Sequence, residues 1–381
     1  MNDVRILVTG ATGYVGSRLV SALLNEGHDV IVASRNVDRL ADFGWFDRVA
    51  RVYLDAANED SVSSAFGVAG RIDVVYYLVH GIGQPDFRDA DNRAAANVAS
   101  AARDAGVRRI VYLGGFVPDV DELSEHLTSR AEVAHALTVD GGPEVVWLGA
   151  AMILGAGSMS FEMLRYVGDR FLVIPMPPWT DNPLDPISIR DVLYYLVAAL
   201  DERVPAGAYD IHGPDRTTYG QLMLSYARVS GRWRRGLPVP GVDVSVLSRV
   251  TAATLPVPGG VAANLVESLD HPMMASADGL RGLVPDPPGG LVGIDDAITL
   301  SLSGGKPRPV DGLADPHHLA DTDPGWAGGD VLRIRRLAVL VTPALVRPAL
   351  GLLGLVPGPL AGAVRVGLDA LIGLAPKRAT A

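Results

Sequence analysis

Three glycines, Gly10, Gly13 and Gly16, stand in the run T-G-A-T-G-Y-V-G from Thr9 to Gly16. They follow an apolar strand pattern and open a helical one, so the chain must turn sharply and present a bare helix N-terminus. A side chain at Gly10 would block the turn, one at Gly13 would hold a phosphate away, and one at Gly16 would separate helix from sheet. Free backbone N–H groups and the positive end of the helix dipole attract a pyrophosphate there. Thr12, Tyr14 and Val15 add contacts around it, and the chemistry implied is dinucleotide binding. An acidic residue about 20 positions further on would hold the ribose 2′-hydroxyl of NAD. The sequence instead reads V-A-S-R-N, with Ser34 and Arg35. The planar fork of Arg35 suits a 2′-phosphate, which favours NADP over NAD; the alternative is a solvated surface charge. Arg39 lies one turn on.

Two further strand ends carry polar residues. Asp55, followed by Ala56 in Y-L-D-A, either accepts from an adenine amino group or caps the next helix. The run Y-Y-L-V-H-G-I-G places Leu78, Val79 and His80 at the carboxyl edge of a sheet, where ligands lie in open α/β folds. A lone histidine there is either a contact or plain structure.

The elements that must hold these residues alternate. Apolar β-rich runs at Val4 to Thr9, Asp29 to Ser34, Val49 to Leu54, Asp73 to Val79, Arg109 to Gly114 and Glu144 to Leu148 read as strands buried on both faces. Helical periods fall between them, at Gly13 to Glu26, Asp60 to Ala69, Asp89 to Ala105 and Ser124 to Val139. The fold class expected is α/β, a Rossmann-type doubly wound parallel sheet. Its domain is placed at residues 1–180. An interleaved α+β substrate-side region is placed at 181–330, with a helix over Ile189 to Leu200, a strand at Ala208 to His212 and a helix from about Thr218. An apolar helical tail is placed at 331–381.

Composition narrows the partners. The 381 residues carry a formal net charge of -10, no cysteine and 48% hydrophobic residues. That is globular composition without a basic footprint, so no nucleic-acid partner is expected. Disulfides and thiolate chemistry are excluded. No signal-peptide pattern follows Met1, and a cytoplasmic location is expected.

The segment Leu337 to Pro376 carries only Arg347, Arg365 and Asp369 as charges. Its longest uncharged run, Pro348 to Val364, has 17 residues and includes Pro357 and Pro359, short of the ~20 that a spanning helix needs. It is expected to pack on the protein's own surface or on a second copy, or to dock at the inner membrane surface with Arg333, Arg335 and Arg336 near lipid headgroups. His317 and His318 beside Asp315 and Asp321 have metal-ligand types. Adjacent loop histidines are usually solvent-exposed, however, and no second cluster complements them, so no metal is expected.

Several of these motifs together resemble the short-chain dehydrogenase/reductase superfamily, in its atypical, NmrA-like and epimerase-like branch. They are T-G-A-T-G-Y-V-G, Y-L-V-H, the helix N-V-A-S-A-A-R-D-A-G-V with Asn97, R-I-V-Y-L-G-G and D-P-I-S-I-R-D-V. The resemblance implies NAD(P) binding and, in catalytic members, a serine at the end of strand five with a Tyr-x-x-x-Lys pair on the next helix. Here the strand ends in Gly114-Gly115, and that spacing falls on His126 and Arg130. His126 has the type for a proton donor near neutral pH; Arg130 can contact ribose or phosphate. Ser124, Ser129 and Tyr112 are further hydroxyls. The function implied is an oxidoreductase acting on a carbonyl or enone of an apolar small molecule. The alternative is an NmrA-like sensor or scaffold that binds NADP without turning it over. Met152, Phe161, Met163, Trp179 and Tyr219 either line the substrate cavity or form ordinary core.

Overall fold

The computed structural model describes residues 4–81, 87–116, 125–239, 256–257, 268–275, 279–341 and 357–374. Strands β1 (Arg5–Val8), β2 (Asp29–Ser34), β3 (Ala50–Tyr53), β4 (Val74–Tyr77), β5 (Arg109–Gly115) and β6 (Glu144–Ala150) lie parallel. Beyond them come the short strands β7 (Ile153–Leu154), β8 (Val173–Met176), β9 (Pro183–Leu184) and β10 (Ile187–Ser188). Then β11 (Gly207–Asp210) returns to pair with β6. The central sheet therefore runs β11-β6-β5-β4-β1-β2-β3. Strand order reverses between β4 and β1, and the crevice that opens at such a switch point is where ligands bind.

Alternation along each strand divides the core in two. In β1, Ile6 and Val8 enter one cluster while Leu7 enters the other, all three fully buried. Helices α1 (Tyr14–Asn25) and, later in the chain, α6 (Ile189–Ala198) cover the first face, with Leu19, Val20 and Leu23 in one cluster with Val192, Tyr195 and Leu196. The second face is covered by α2 (Glu59–Ala69), α3 (Phe87–Asp104) and α4 (Glu125–Leu137). Alanines 95, 99 and 102 of α3 are all completely buried, and their small side chains let the helix lie close on the sheet. Helix starts follow side-chain chemistry: Asn58, Ser158, Ser188 and Thr218 each accept from a backbone N–H of the first turn, satisfying a donor that would otherwise be orphaned.

The rest of the chain forms a third core. Helix α5 (Met159–Arg170), α7 (Tyr219–Val229) and α8 (Ile294–Ser303) contribute Phe161, Leu164, Leu222, Tyr226 and Ile298. Phe161, Trp179 and Tyr219 are buried in this cluster, and Met152 and Met163 are half-buried against it. Strand β12 (Thr217–Thr218) pairs with β9, and β13 (Arg235–Pro238) with β8. Finally α9 (Gly329–Val341) and α10 (Gly358–Leu374) pack on each other and on α5. Among the described residues no helix is long and apolar enough to cross a membrane.

A guanidinium ties this later region to α1. Arg18, fully buried, donates to both carboxylate oxygens of Asp323 at 3.0 and 2.7 Å and to the carbonyls of Pro316, Tyr14, Ala156 and His318.

Candidate functional site

Because the strands are parallel, their carboxyl ends share one edge, and the polar residues that follow β1, β2, β3 and β4 gather along it. The Thr9 hydroxyl donates to the Tyr76 carbonyl at 3.0 Å and accepts from Leu78 N–H at 3.3 Å, pinning the end of β1 to β4. Gly10 then turns with φ +71°, and a Cβ there would lie 2.5 Å from the Leu78 carbonyl oxygen. Glycine is required on both counts. A Cβ on Gly16 would collide with the Gly10 carbonyl, so this glycine lets α1 close on the turn itself rather than on the sheet. Gly13 is exposed at the N-cap. The N–H groups of Tyr14, Val15 and Gly16 have no hydrogen-bond partner among the described residues, and the first turn holds no acidic side chain. A bare, positively polarised turn of this shape fits a dinucleotide pyrophosphate.

Thr12 is half-buried at the tip, and Val15 packs on the core. The Tyr14 side chain is directed to Arg18 and Gly155. Its ring lies under the Arg18 guanidinium, 4.1 Å from centroid to Cζ, and its hydroxyl occupies the space that a Cβ on Gly155 would take. Burial pushes this phenol far above its usual range.

At the end of β2 the Ser34 hydroxyl donates to the Asn36 carbonyl at 3.0 Å and accepts from Asn36 N–H at 3.1 Å. This tight loop leaves Arg35 exposed, with no carboxylate in ion-pair reach among the described residues. After β3, Asp55 accepts from Ala57 N–H at 3.2 Å, while Asn58 caps α2. The cap assigned as an alternative to Asp55 therefore belongs to Asn58. The Asn97 amide holds the Ala56 carbonyl at 2.9 Å and so fixes this loop from α3. After β4, Leu78 and Val79 are half-buried and His80 is exposed. Gly81 N–H donates to the buried Asp91 at 2.7 Å. Sequence reasoning missed Asp91, since a carboxylate ten positions on within an Ala-rich helix gives no spacing signal.

The edge continues to β5 and α4. A Cβ on Gly114 would lie 2.5 Å from the Trp147 indole nitrogen, whereas one on Gly115 would meet nothing closer than 3.8 Å. Arg130 lies beside Gly115 and accepts, through its backbone carbonyl, the Tyr112 hydroxyl at 3.3 Å. Burial raises Asp91, Tyr77 and Tyr112, and the Arg130 charge opposes it at all three. Arg130 is therefore a fixed positive charge facing buried oxygens at the ends of β4 and β5. His126 precedes it by one turn of α4, but its side chain lies outside the described residues, as does Ser124. Ser129 is buried. Glu132 pairs with Arg88 and accepts from Asn92, locking α3 to α4.

The histidine pair departs from expectation. His317 is fully buried rather than solvent-exposed, with Nδ1 2.6 Å from Asp315, because its loop folds over Arg18. Burial lowers its pKa despite that carboxylate. Among the described residues no group of three or more acidic or histidine side chains is placed to hold a metal.

The family model described as NAD(P)H-binding matches residues 10–138, which run from the glycine turn through α4. The chain is 36% identical over 256 residues to a 3-diazoavenalumate denitrifying reductase of a Streptomyces species, covering 60% of this chain and 82% of that protein. It is 28% identical over 268 residues to the (4-alkanoyl-5-oxo-2,5-dihydrofuran-3-yl)methyl phosphate reductase of Streptomyces griseus, covering 70% and 86%. A third relative is NADH dehydrogenase [ubiquinone] 1 alpha subcomplex subunit 9 of Arabidopsis thaliana mitochondria, 25% identical over 61% of this chain. The match spans only 60% of that subunit's length. In fold the chain is similar to the Citrobacter triphenylmethane reductase solved with NADP(H), with a TM-score of 0.59 and 20% identity over 77% of this chain and 98% of that one.

Proposed function

Since the chain belongs to the NAD(P)H-binding family of atypical short-chain dehydrogenase/reductase proteins, we propose that it is an NADP(H)-dependent reductase of an apolar carbonyl or enone compound. One observation carries the choice of NADP: Arg35 stands exposed at the end of β2 with no carboxylate partner among the described residues, where an NAD-selective site would hold an acid. Two N–H forks of a guanidinium match a 2′-phosphate, and Ser34 lies beside it. The bare N–H groups of α1 would hold the pyrophosphate. Asp55 would take the adenine amino group, with Leu78, Val79 and His80 along the adenosine and ribose.

The nicotinamide, when bound, supplies the hydride. What this chain must add is orientation and a proton. Arg130, permanently charged, would hold a ribose or substrate oxygen at the end of β5. His126, one turn earlier, would donate the proton to that oxygen. The named substrate of the Streptomyces griseus relative, a phosphate ester of an unsaturated lactone bearing an alkanoyl group, supports the conjugated carbonyl, though not the apolar character, of the substrate class proposed here.

A second reading, NADP binding without turnover, draws on Gly114. The Trp147 indole fills the place of a strand-end serine, so the family's usual hydroxyl is displaced as well as substituted. NADPH oxidation against a panel of enones and ketones separates the two. The reductase reading expects turnover that falls at least about tenfold in His126→Ala while NADPH binding is kept. Full turnover in that variant removes His126 from the role, and no turnover with any substrate favours the sensor.

A further inference from the structure

Over residues 360–367 the described side chains of α10 are arranged inside out. Ala361, Gly362 and Arg365 of α10 are buried, while Leu360, Ala363, Val364 and Gly367, at helical spacing, face outward. Gly358 seats on the Asp169 carbonyl beside Arg232, and Gly362 on Arg170 and Asp330. These contacts set α10 on the end of α5 and beside Arg232, which precedes β13. That neighbourhood is also apolar and open: Trp233 is 71% exposed, Leu172 59%, Leu360 56% and Leu237 55%, and Phe171 and Val173 are exposed as well. A patch of this kind on a soluble protein marks a contact surface.

Its charge identifies the contact. Residues 168–175 and 231–239 hold Arg170, Arg232, Arg234 and Arg235; Arg170 is paired with the buried Asp330 and Arg232 with Asp169, which leaves Arg234 and Arg235 without a carboxylate among the described residues. Asp169 is buried and also accepts from Tyr226, so with both buried carboxylates paired the patch still presents the net positive charge of Arg234 and Arg235 on a chain whose total is -10. Arg235 also stacks on Trp233, at 4.9 Å. A second copy docking through the same face would place arginine clusters opposite one another. An anionic lipid surface meets both features, since arginine binds headgroups while tryptophan and leucine enter the boundary with the acyl chains.

We propose that the face formed by α10, residues 171–173 and the β13 segment docks this protein peripherally on an anionic bilayer. Sedimentation of the full-length protein with vesicles of phosphatidylcholine, with and without phosphatidylglycerol, tests it. Binding is expected to the anionic vesicles only, to weaken with salt, and to shift the Trp233 emission to the blue. Arg235→Gln is expected to weaken binding about fivefold, and Trp233→Glu or the pair Leu360→Glu and Val364→Glu by tenfold or more, roughly. Unchanged NADPH binding would show that the variants are folded. The proposal is overturned if anionic vesicles leave the protein in solution at low salt, if neutral vesicles bind equally, or if these variants bind as wild type. Light scattering showing a dimer that Trp233→Glu dissociates would assign the face to a second copy instead.

Discussion

Replacing Asp323 by asparagine would strand a guanidinium that is sealed from water. The side chains of Arg18 and Asp323 are 1% and 3% exposed and share two short hydrogen bonds. Burial alone would lower the pKa of Arg18, but Tyr14 and Asp323 raise it above its ordinary value, so the charge stays. Removing one partner of a buried pair costs about 3–5 kcal/mol. Arg18 keeps its four backbone carbonyls, which argues for the lower end, about 3 kcal/mol. The Ala320 N–H, which donates to Asp323 at 2.8 Å, keeps an acceptor only if the new amide turns its oxygen inward, so up to about 1 kcal/mol more is at stake. Urea unfolding followed by far-ultraviolet circular dichroism should therefore show a loss of roughly 3–4 kcal/mol. Hydrogen exchange should accelerate first in residues 315–328 and at the start of α1, whose Tyr14 carbonyl and ring both contact Arg18. A loss under about 0.5 kcal/mol, within the range of ordinary surface substitutions, with unchanged exchange would refute the view that this clamp joins the later region to the cofactor helix.

Other perturbations address the site more locally. Gly10→Ala should lower NAD(P)H affinity about tenfold or more, because a left-handed residue with a Cβ costs about 1–2 kcal/mol before its clash with Leu78; fluorescence titration reads it, and unaltered affinity would contradict the geometry. Gly114→Ser should destabilise by about 1–3 kcal/mol through its collision with Trp147, whereas Gly115→Ser should melt as wild type. Equal melting of the two serine variants would show that the strand end is not filled as described. Asp191, whose carboxyl burial pushes up to about 6 from 3.8, takes up its proton more readily in the folded state than in the unfolded one. Its contribution is present below the lower value and lost as pH rises through the upper, by at most about 3 kcal/mol. Asp191→Asn should flatten that part of the stability profile, and an unchanged slope between these pH values would count against it.

The cofactor edge was legible because its signals are local. Glycine spacing, the apolar strand runs and the residue after β2 lie within a few positions of one another, and β2 occupies Asp29–Ser34 as read from the alternation. A strand was expected at Ala208 to His212 in the substrate-side region; it is observed at Gly207–Asp210 and belongs instead to the central sheet, as its seventh strand beside β6. Helix α5 and the β8·β13 pair were missed. Proline-rich flanks obscure the strand period there, and the Val173↔Arg235 register joins residues far apart in the chain. The same holds for Arg18 with Asp323, 305 positions apart, and for Tyr14, whose place beside the glycines gave no sign that its side chain belongs to the opposite neighbourhood. The loop position of His317 misled about exposure because the loop closes on a buried cation. The aromatic and methionine residues placed as possible cavity lining are joined in one packed cluster, a distinction that composition alone does not make.

On the proposed reading the glycine turn binds a dinucleotide whose 2′-phosphate is held by Arg35. Calorimetric titration of the wild-type protein and Arg35→Ala with NADPH and NADH tests it directly. A charge-assisted bidentate contact is worth roughly 1.5–3 kcal/mol. NADPH should therefore bind the wild type about 10- to 100-fold more tightly than NADH, and the variant should lose that difference while its NADH affinity is unchanged. Equal affinity of the wild type for both nucleotides, or a preference that survives in Arg35→Ala, would remove Arg35 from this role.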